Sequence, residues 1–208
     1  MECLMCPKSI NTQQLILEAA EVEFLEKGYE KARTTEIARR AGVNHAMLHY
    51  YFQSKEKLFH RVFEDKVKMM HQLLLFNLHE DLPFLEKIRK HIEQHFDFIA
   101  ANDKIPGFIL METLRNPSLR DIVVHSIHDK VKDVFVKLKK EIDNEAEKGT
   151  IRYVDPQDLI FSIISLNSFY FLNHHFLSGT AVAESDNKNM LEKRKKMNVE
   201  IIINWLQI

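Results

Sequence analysis

Apolar positions recur at helical spacing along almost the whole chain, and short breaks rich in Gly, Pro, Asn and Ser separate the periodic runs. Ile16, Ala19, Ala20 and Phe24 make one stripe of a first helix, predicted from Asn11 or Thr12 to Lys27 and stopped by Gly28. Glu18, Glu21, Glu23 and Glu26 are expected mostly on its outer faces. Thr34 or Thr35 can cap a second, short helix carrying Ile37, Ala38 and Ala41, and Gly42 supplies the left-handed residue that ends it. Asn44 caps a third, whose apolar face holds Leu48 and Phe52, and Ser54 caps a long fourth helix running to about Leu78. Pro83 opens a helix to about Ala101. Asn102-Asp103 and Pro106-Gly107 then leave only a short segment, Phe108 to Leu114. Asn116-Pro117-Ser118 starts a long helix to about Glu147, ended by Gly149; Asp155-Pro156 opens another to Leu177, ended by Gly179. A polar loop from Ala183 to Asn189 leads into a last helix ending with Ile201, Ile202, Trp205 and Leu206.

The pattern predicts an all-α protein in two parts. A three-helix head with a helix-turn-helix occupies residues 8–62 (motif 33–52), and a larger helical body occupies 63–208. The long fourth helix begins in the head and ends outside it, so it links the two mechanically. The segment from Asp158 to Leu177 has nineteen consecutive residues without a formal charge, which raises the question of a membrane span. Ser162, Ser165, Asn167, Ser168, Asn173, His174 and His175 argue against one, since each needs a partner in lipid. A helix apolar nearly all round in a water-soluble setting is buried on two sides. One side faces its own domain, and the other is available to a second copy. With the amphipathic last helix beside it, two chains build a four-helix seam, with Phe161, Phe176, Ile202 and Trp205 as interface candidates.

Composition adds three constraints. Only five Gly and five Pro in 208 residues fit a helical chain. The net charge of −1 hides a local excess: residues 31–61 carry seven Lys and Arg against Glu36 and Glu56. The start is too short and too polar for a signal peptide, and Cys3 and Cys6 lack the second pair a tetrahedral zinc site needs, so a reducing cytoplasm is expected, with no cofactor, no metal and no membrane.

The stretch Thr34–Lys57 carries the chemistry. Two helices joined by a glycine-bearing turn form the unit that places its second helix in the DNA major groove. Around it, Phe24 and Gly28-Tyr29, then Thr34, the IA-x-x-AGV run at Ile37 to Val43, Leu48, Tyr51-Phe52 and the SKE-x-LF run at Ser54 to Phe59 closely resemble the head of the TetR (tetracycline-repressor) family of bacterial transcription regulators. The spaced set spans about Thr12 to Val62; beyond Phe63 the resemblance is architectural.

The resemblance implies a DNA-binding transcription regulator, a repressor by expectation. It would act as a homodimer on a palindromic duplex operator and bind a largely apolar small-molecule effector in the body. Matched position by position, Thr34 and Lys55 are implied phosphate contacts. Asn44, His45, Ala46 and Met47 start the recognition helix, and His49, Tyr50 and Tyr51 match positions that pack on the sugar-phosphate backbone. His45, Ala46 and His49 replace the family's usual Lys, Gly and Tyr, so the operator sequence is not transferable. Phe96, Phe108, Met111, Phe169 and Asn173 are candidate pocket residues. An enzyme finds no support: no G-x-S-x-G, H-E-x-x-H or glycine-rich phosphate loop occurs. A nucleoid or scaffold protein that uses the head without sequence preference is the other competing class.

Overall fold

The computed structural model describes residues 11–74, 82–177 and 187–208, without side chains at 72–74, 126–131, 174–177 and 187–188. Cys3 and Cys6, the predicted helix end at Leu78 and the side chains of His174, His175 and Phe176 therefore lie outside what is described. Every regular element among the described residues is a helix: α1 (Thr12–Lys31), α2 (Thr34–Arg40), α3 (His45–Phe52), α4 (Lys55–Leu74), α5 (Phe84–Ala101), α6 (Lys104–Arg115), α7 (Leu119–Glu147), α8 (Pro156–Leu177) and α9 (Asn187–Leu206).

In the head, three of the expected caps form. The Asn44 side chain accepts from the Met47 N–H at 2.8 Å, and Ser54 Oγ accepts from the Lys57 N–H at 3.1 Å. Gly42 has φ +67°, with its N–H on Arg39 O and the Val43 N–H on Ala38 O, the paired bonds of a Schellman end. Three details differ from the sequence reading. Thr34 is the first helical residue of α2 and Arg33 holds the cap position, without a side-chain cap bond. Gly28 interrupts α1 with φ +70°, but a further turn continues to Lys31. Glu23, expected outside, is 0% exposed because α2 packs across that side of α1.

In the body, α6 begins four residues before the predicted Phe108. Pro106 and Gly107 fall in its first turn, where backbone N–H groups have no helical partner and a proline loses nothing. The extra turn matters because it brings Pro106 beside the interior.

Two main apolar clusters hold the molecule. One joins Ile16, Phe24, Ile37 and Leu48 of the head to Phe59, Phe63 and Val67 of α4, and also to Phe108 of α6 and Leu119 of α7. The head is therefore seated on the body through a continuous core. The other joins Ile88 and Ile92 of α5, Leu138 and Ile142 of α7, Leu159 and Ile163 of α8, and Val199, Ile202 and Leu206 of α9. The 29 residues of α7 reach from the first cluster to the second. Among the described residues no helix is long and apolar enough to cross a membrane. Asn167 of α8 is fully buried yet bonded: its Nδ2 donates to Ile92 O at 3.0 Å and its Oδ1 accepts from Asn198 Nδ2 at 2.8 Å.

Candidate nucleic-acid interface and body cavity

The α3 helix is amphipathic in the way a groove-reading helix must be. Leu48 and Phe52 point into the head core, while Asn44, His45, Ala46, Met47, His49 and Tyr50 are exposed; Tyr50 stands 80% free. Thr34 joins this surface, since its Oγ1 lies 2.9 Å from His45 Nε2. His49 Nδ1 donates to Gln53 O at 3.1 Å, and the two imidazoles meet edge to face at 4.6 Å. Tyr51 is half-buried and packs edge to face on Tyr50. Lys55 is half-buried as well: its Nζ donates to Glu30 O at 3.3 Å and sits 4.6 Å over the Tyr29 ring. Eight of the nine implied DNA-facing residues thus lie on or beside α3, and Lys55 adjoins at the start of α4.

Charge counting in sequence overstated how much of the basic segment is available. Arg39 makes two bonds to Glu36 at 2.9 and 2.6 Å, and this hydrogen bonding holds the Glu36 carboxyl down at about 2. Arg40 pairs with Glu26 at 3.1 Å and approaches Glu23 at 3.5 Å, while Arg61 pairs with Asp65 at 3.0 Å. Lys31 and Arg33 are exposed and their side chains make no ion pair among the described residues. They lie just ahead of α2, on the approach to Thr34.

The body contains a cavity of about 340 Å³ between α4, α6 and α8, with an apolar wall that includes Val67, Ile109, Leu110, Ile164 and Leu172. Its size falls within the range of about 300–1,000 Å³ usual for small-molecule sites. His71, His95, Thr113 and Ser168 are its polar lining. Burial pushes His71 and His95 down to about 4, so both rings are neutral at physiological pH.

None of the five pocket candidates from sequence lines this cavity, although Phe108 and Met111 line another of about 370 Å³ between α1 and α6. Phe96 is buried against Phe171, and Phe108 belongs to the core between head and body. Met111 and Phe169 are exposed, and Asn173 bonds its own helix through Phe169 O. Of the lining residues, His95 did carry a signal in the sequence. His91 and His95 fall at helical spacing within the apolar face of α5 formed by Ile88, Ile92, Phe96 and Ile99, where a solvated histidine has no place.

The α6 helix touches both cavity and head. Pro106, Ile109, Leu110 and Thr113 face the cavity. On the opposite side Glu112, 4% exposed, accepts from the Tyr29 N–H at 3.2 Å and from Arg115 at 3.2 Å. A Cβ at Gly28 would come within 2.7 Å of Glu112 Oε1, so a side chain there displaces that carboxylate, and the positive φ itself favours glycine.

The dimer candidates divide. Phe161 is 73% exposed on α8, and Phe169, eight residues on, is 65% exposed on the same side. Trp205 is half-buried at the edge of the second core, whereas Ile202 is 1% exposed and belongs to that core; its neighbour Ile201 is the outward residue. Phe161, Phe169, Met197 and Ile201 leave a large apolar face on α8 and α9.

Comparison with known proteins gives these features a context. The profile for bacterial regulatory proteins of the tetR family matches residues 16–62, and that for the tetracyclin repressor-like C-terminal domain matches residues 85–202. The HTH-type transcriptional regulator YhgD of Bacillus subtilis, itself uncharacterised, is 26% identical over 159 residues, covering 76% of this chain and 81% of the relative. The fatty acid metabolism regulator protein of the same organism is 27% identical over 90 residues, 43% of this chain and 46% of that one. Among solved structures, a candidate fatty acid metabolism regulator of Clostridium perfringens superposes with a TM-score of 0.65 at 22% identity, covering 93% of this chain and 99% of that chain. All three are named as regulators, and none as an enzyme. With profiles matching both its head and most of its body, the chain belongs to the TetR family of helix-turn-helix transcriptional regulators.

Proposed function

We propose that this regulator is a homodimeric repressor whose affinity for a palindromic operator is changed by a small, largely apolar molecule bound in the cavity between α4, α6 and α8. The observation that carries the reading is the double contact of α6. The helix lines the cavity with Ile109, Leu110 and Thr113, and grips the head at Tyr29 through Glu112. A ligand that repositions α6 necessarily acts on α1 and, through the shared core, on α3.

In this reading residues 8–62 read DNA and 63–208 bind ligand and partner. The division is one of task and not of packing, since Phe63, Phe108 and Leu119 share the head's core. Asn44, His45, Ala46 and Met47 read bases and adjacent phosphates from the N-terminal end of α3. Thr34, His49, Tyr50, Tyr51 and Lys55 hold the backbone. Exposure of the α3 face supports these assignments. Homodimerisation is supported by the apolar face of α8 and α9, which buries Phe161 and Phe169 only when a second copy covers it. Two relatives named for fatty acid metabolism accord with an apolar ligand. The site of action is the cytoplasm, where the operator is.

Filling the cavity tests the coupling without knowledge of the ligand. Ser168→Phe places a ring in the cavity, far from α3. Measured by fluorescence anisotropy on a bound duplex, it is expected to change DNA affinity by about tenfold, within the usual span of allosteric coupling. Wild-type affinity in a variant with unchanged helical content and cooperative unfolding would contradict the proposal.

A further inference from the structure

The hydrogen bonds behind His95 decide which of its nitrogens carries the proton. Asn167 Nδ2 lies 3.0 Å from Ile92 O, which can only accept, so the amide nitrogen and not the oxygen faces α5. The opposite end of the amide agrees. Asn198 Nδ2 donates to Leu166 O at 3.2 Å, which fixes Asn198, and its amide group also donates to Asn167 Oδ1 at 2.8 Å. Asn167 Nδ2 thus has a second hydrogen to give, and His95 Nδ1 lies 3.0 Å away. Nδ1 must accept, and a neutral imidazole that accepts at Nδ1 carries its hydrogen on Nε2.

His95 is 2% exposed and lines the cavity. Among the described residues its only hydrogen bond is the one to Asn167, so Nε2–H has no acceptor among them. An acceptor on a ligand in the cavity can meet this donor, whereas an apolar group in the same place leaves it unmet. Among the described residues no Lys or Arg lines the cavity, and His71, the other titratable group on its wall among them, is neutral too. A carboxylate there would lose its hydration without gaining a counter-charge.

We propose that His95 Nε2–H is the polar anchor of the cavity, and that the ligand is an apolar molecule bearing an uncharged carbonyl oxygen, as in a ketone, ester or thioester. This rests on the cavity being the effector site and adds the chemistry of the head group. Free carboxylates, alkylammonium ions and plain hydrocarbons are disfavoured, the first two for uncompensated charge and the last for leaving the donor unmet.

Two measurements on the full-length protein test it. Long-range nitrogen–proton correlation NMR on the ligand-free protein, with His95 assigned through His95→Gln, is expected to show the proton on Nε2. A proton on Nδ1 would overturn the proposal. Titrations of 2-undecanone, undecane, undecanoate and undecylammonium are then followed through resonances of cavity-lining residues. The ketone is expected to bind about tenfold more tightly than the other three. His95→Phe should erase that margin, and His95→Gln, which keeps a donor, should retain most of it. Equal binding of hydrocarbon, carboxylate or ammonium, or an unaffected His95→Phe, would overturn the anchor while leaving the cavity as a ligand site. Failure of all four probes to perturb the cavity would remove the effector-site reading, and this proposal with it.

Discussion

Glu23 shows how one side chain holds three parts of the head together. Its Oε1 accepts from Lys27 at 2.8 Å and from the Arg33 N–H at 3.3 Å, and its Oε2 faces Arg40 at 3.5 Å. Glu23→Gln keeps the shape but removes the charge from all three, and is expected to cost roughly 1–3 kcal/mol, read as a lowered urea midpoint. An unchanged midpoint would show that Arg40 and Lys27 are satisfied without it. Spacing along α1 could not reveal this role, because the helical period identifies a face but not what packs against it. The exposed face of α3 was more legible, since the order of its residues follows directly from the Asn44 cap. Tyr50→Ala and Lys55→Ala should weaken binding to every duplex alike, with the Lys55 change reducing the salt slope by about one. Substituting Asn44 or His45 should instead alter which sequences are preferred. A change of preference in Lys55→Ala, at constant salt slope, would reassign that residue.

At the scale of elements, helix type was readable throughout and helix function was not. Glycine and proline marked most boundaries correctly because each acts locally through its own backbone. The same rule misled at α6, where Pro106 and Gly107 looked like a break but occupy a first turn. The misreading hid the element that joins cavity to head. For α8 the sequence could not sort Phe161 and Phe169, both outward, from Phe171, which is inward. Aromatic residues at similar spacing look alike until neighbouring helices are in place. The role assigned to α6 predicts a specific non-additivity. Ser168→Phe should change DNA affinity strongly in the wild-type background and by less than half as much, in free energy, when Glu112→Ala has cut the contact to Tyr29. Full additivity in that double-mutant cycle would mean the signal bypasses Glu112.

The whole molecule has a pH dependence set by its interior. Burial pushes His91 down to about 3 and His95 to about 4, from an ordinary value of 6.5, and His91 is lowered further by its neighbour His95. Because the folded values are depressed, the unfolded chain takes up protons first as pH falls. Their contribution is intact above about 6.5 and is lost progressively, down to about 4 for His95 and about 3 for His91, by roughly 1.4 kcal/mol per pH unit for each histidine. Urea midpoints should therefore drop between pH 7 and pH 5, and His95→Gln should flatten the slope; a flat wild-type profile would contradict the burial of both rings.

The central claim is that a pair of these heads reads a specific duplex. Selection of bound fragments from a random duplex library at physiological salt, using the full-length protein, tests this most directly. The account predicts enrichment of an inverted repeat whose half-site centres lie about 34–36 Å apart, or a multiple of one helical turn. Recovery of unrelated sequences with no common motif, bound no better than the starting library, would contradict it.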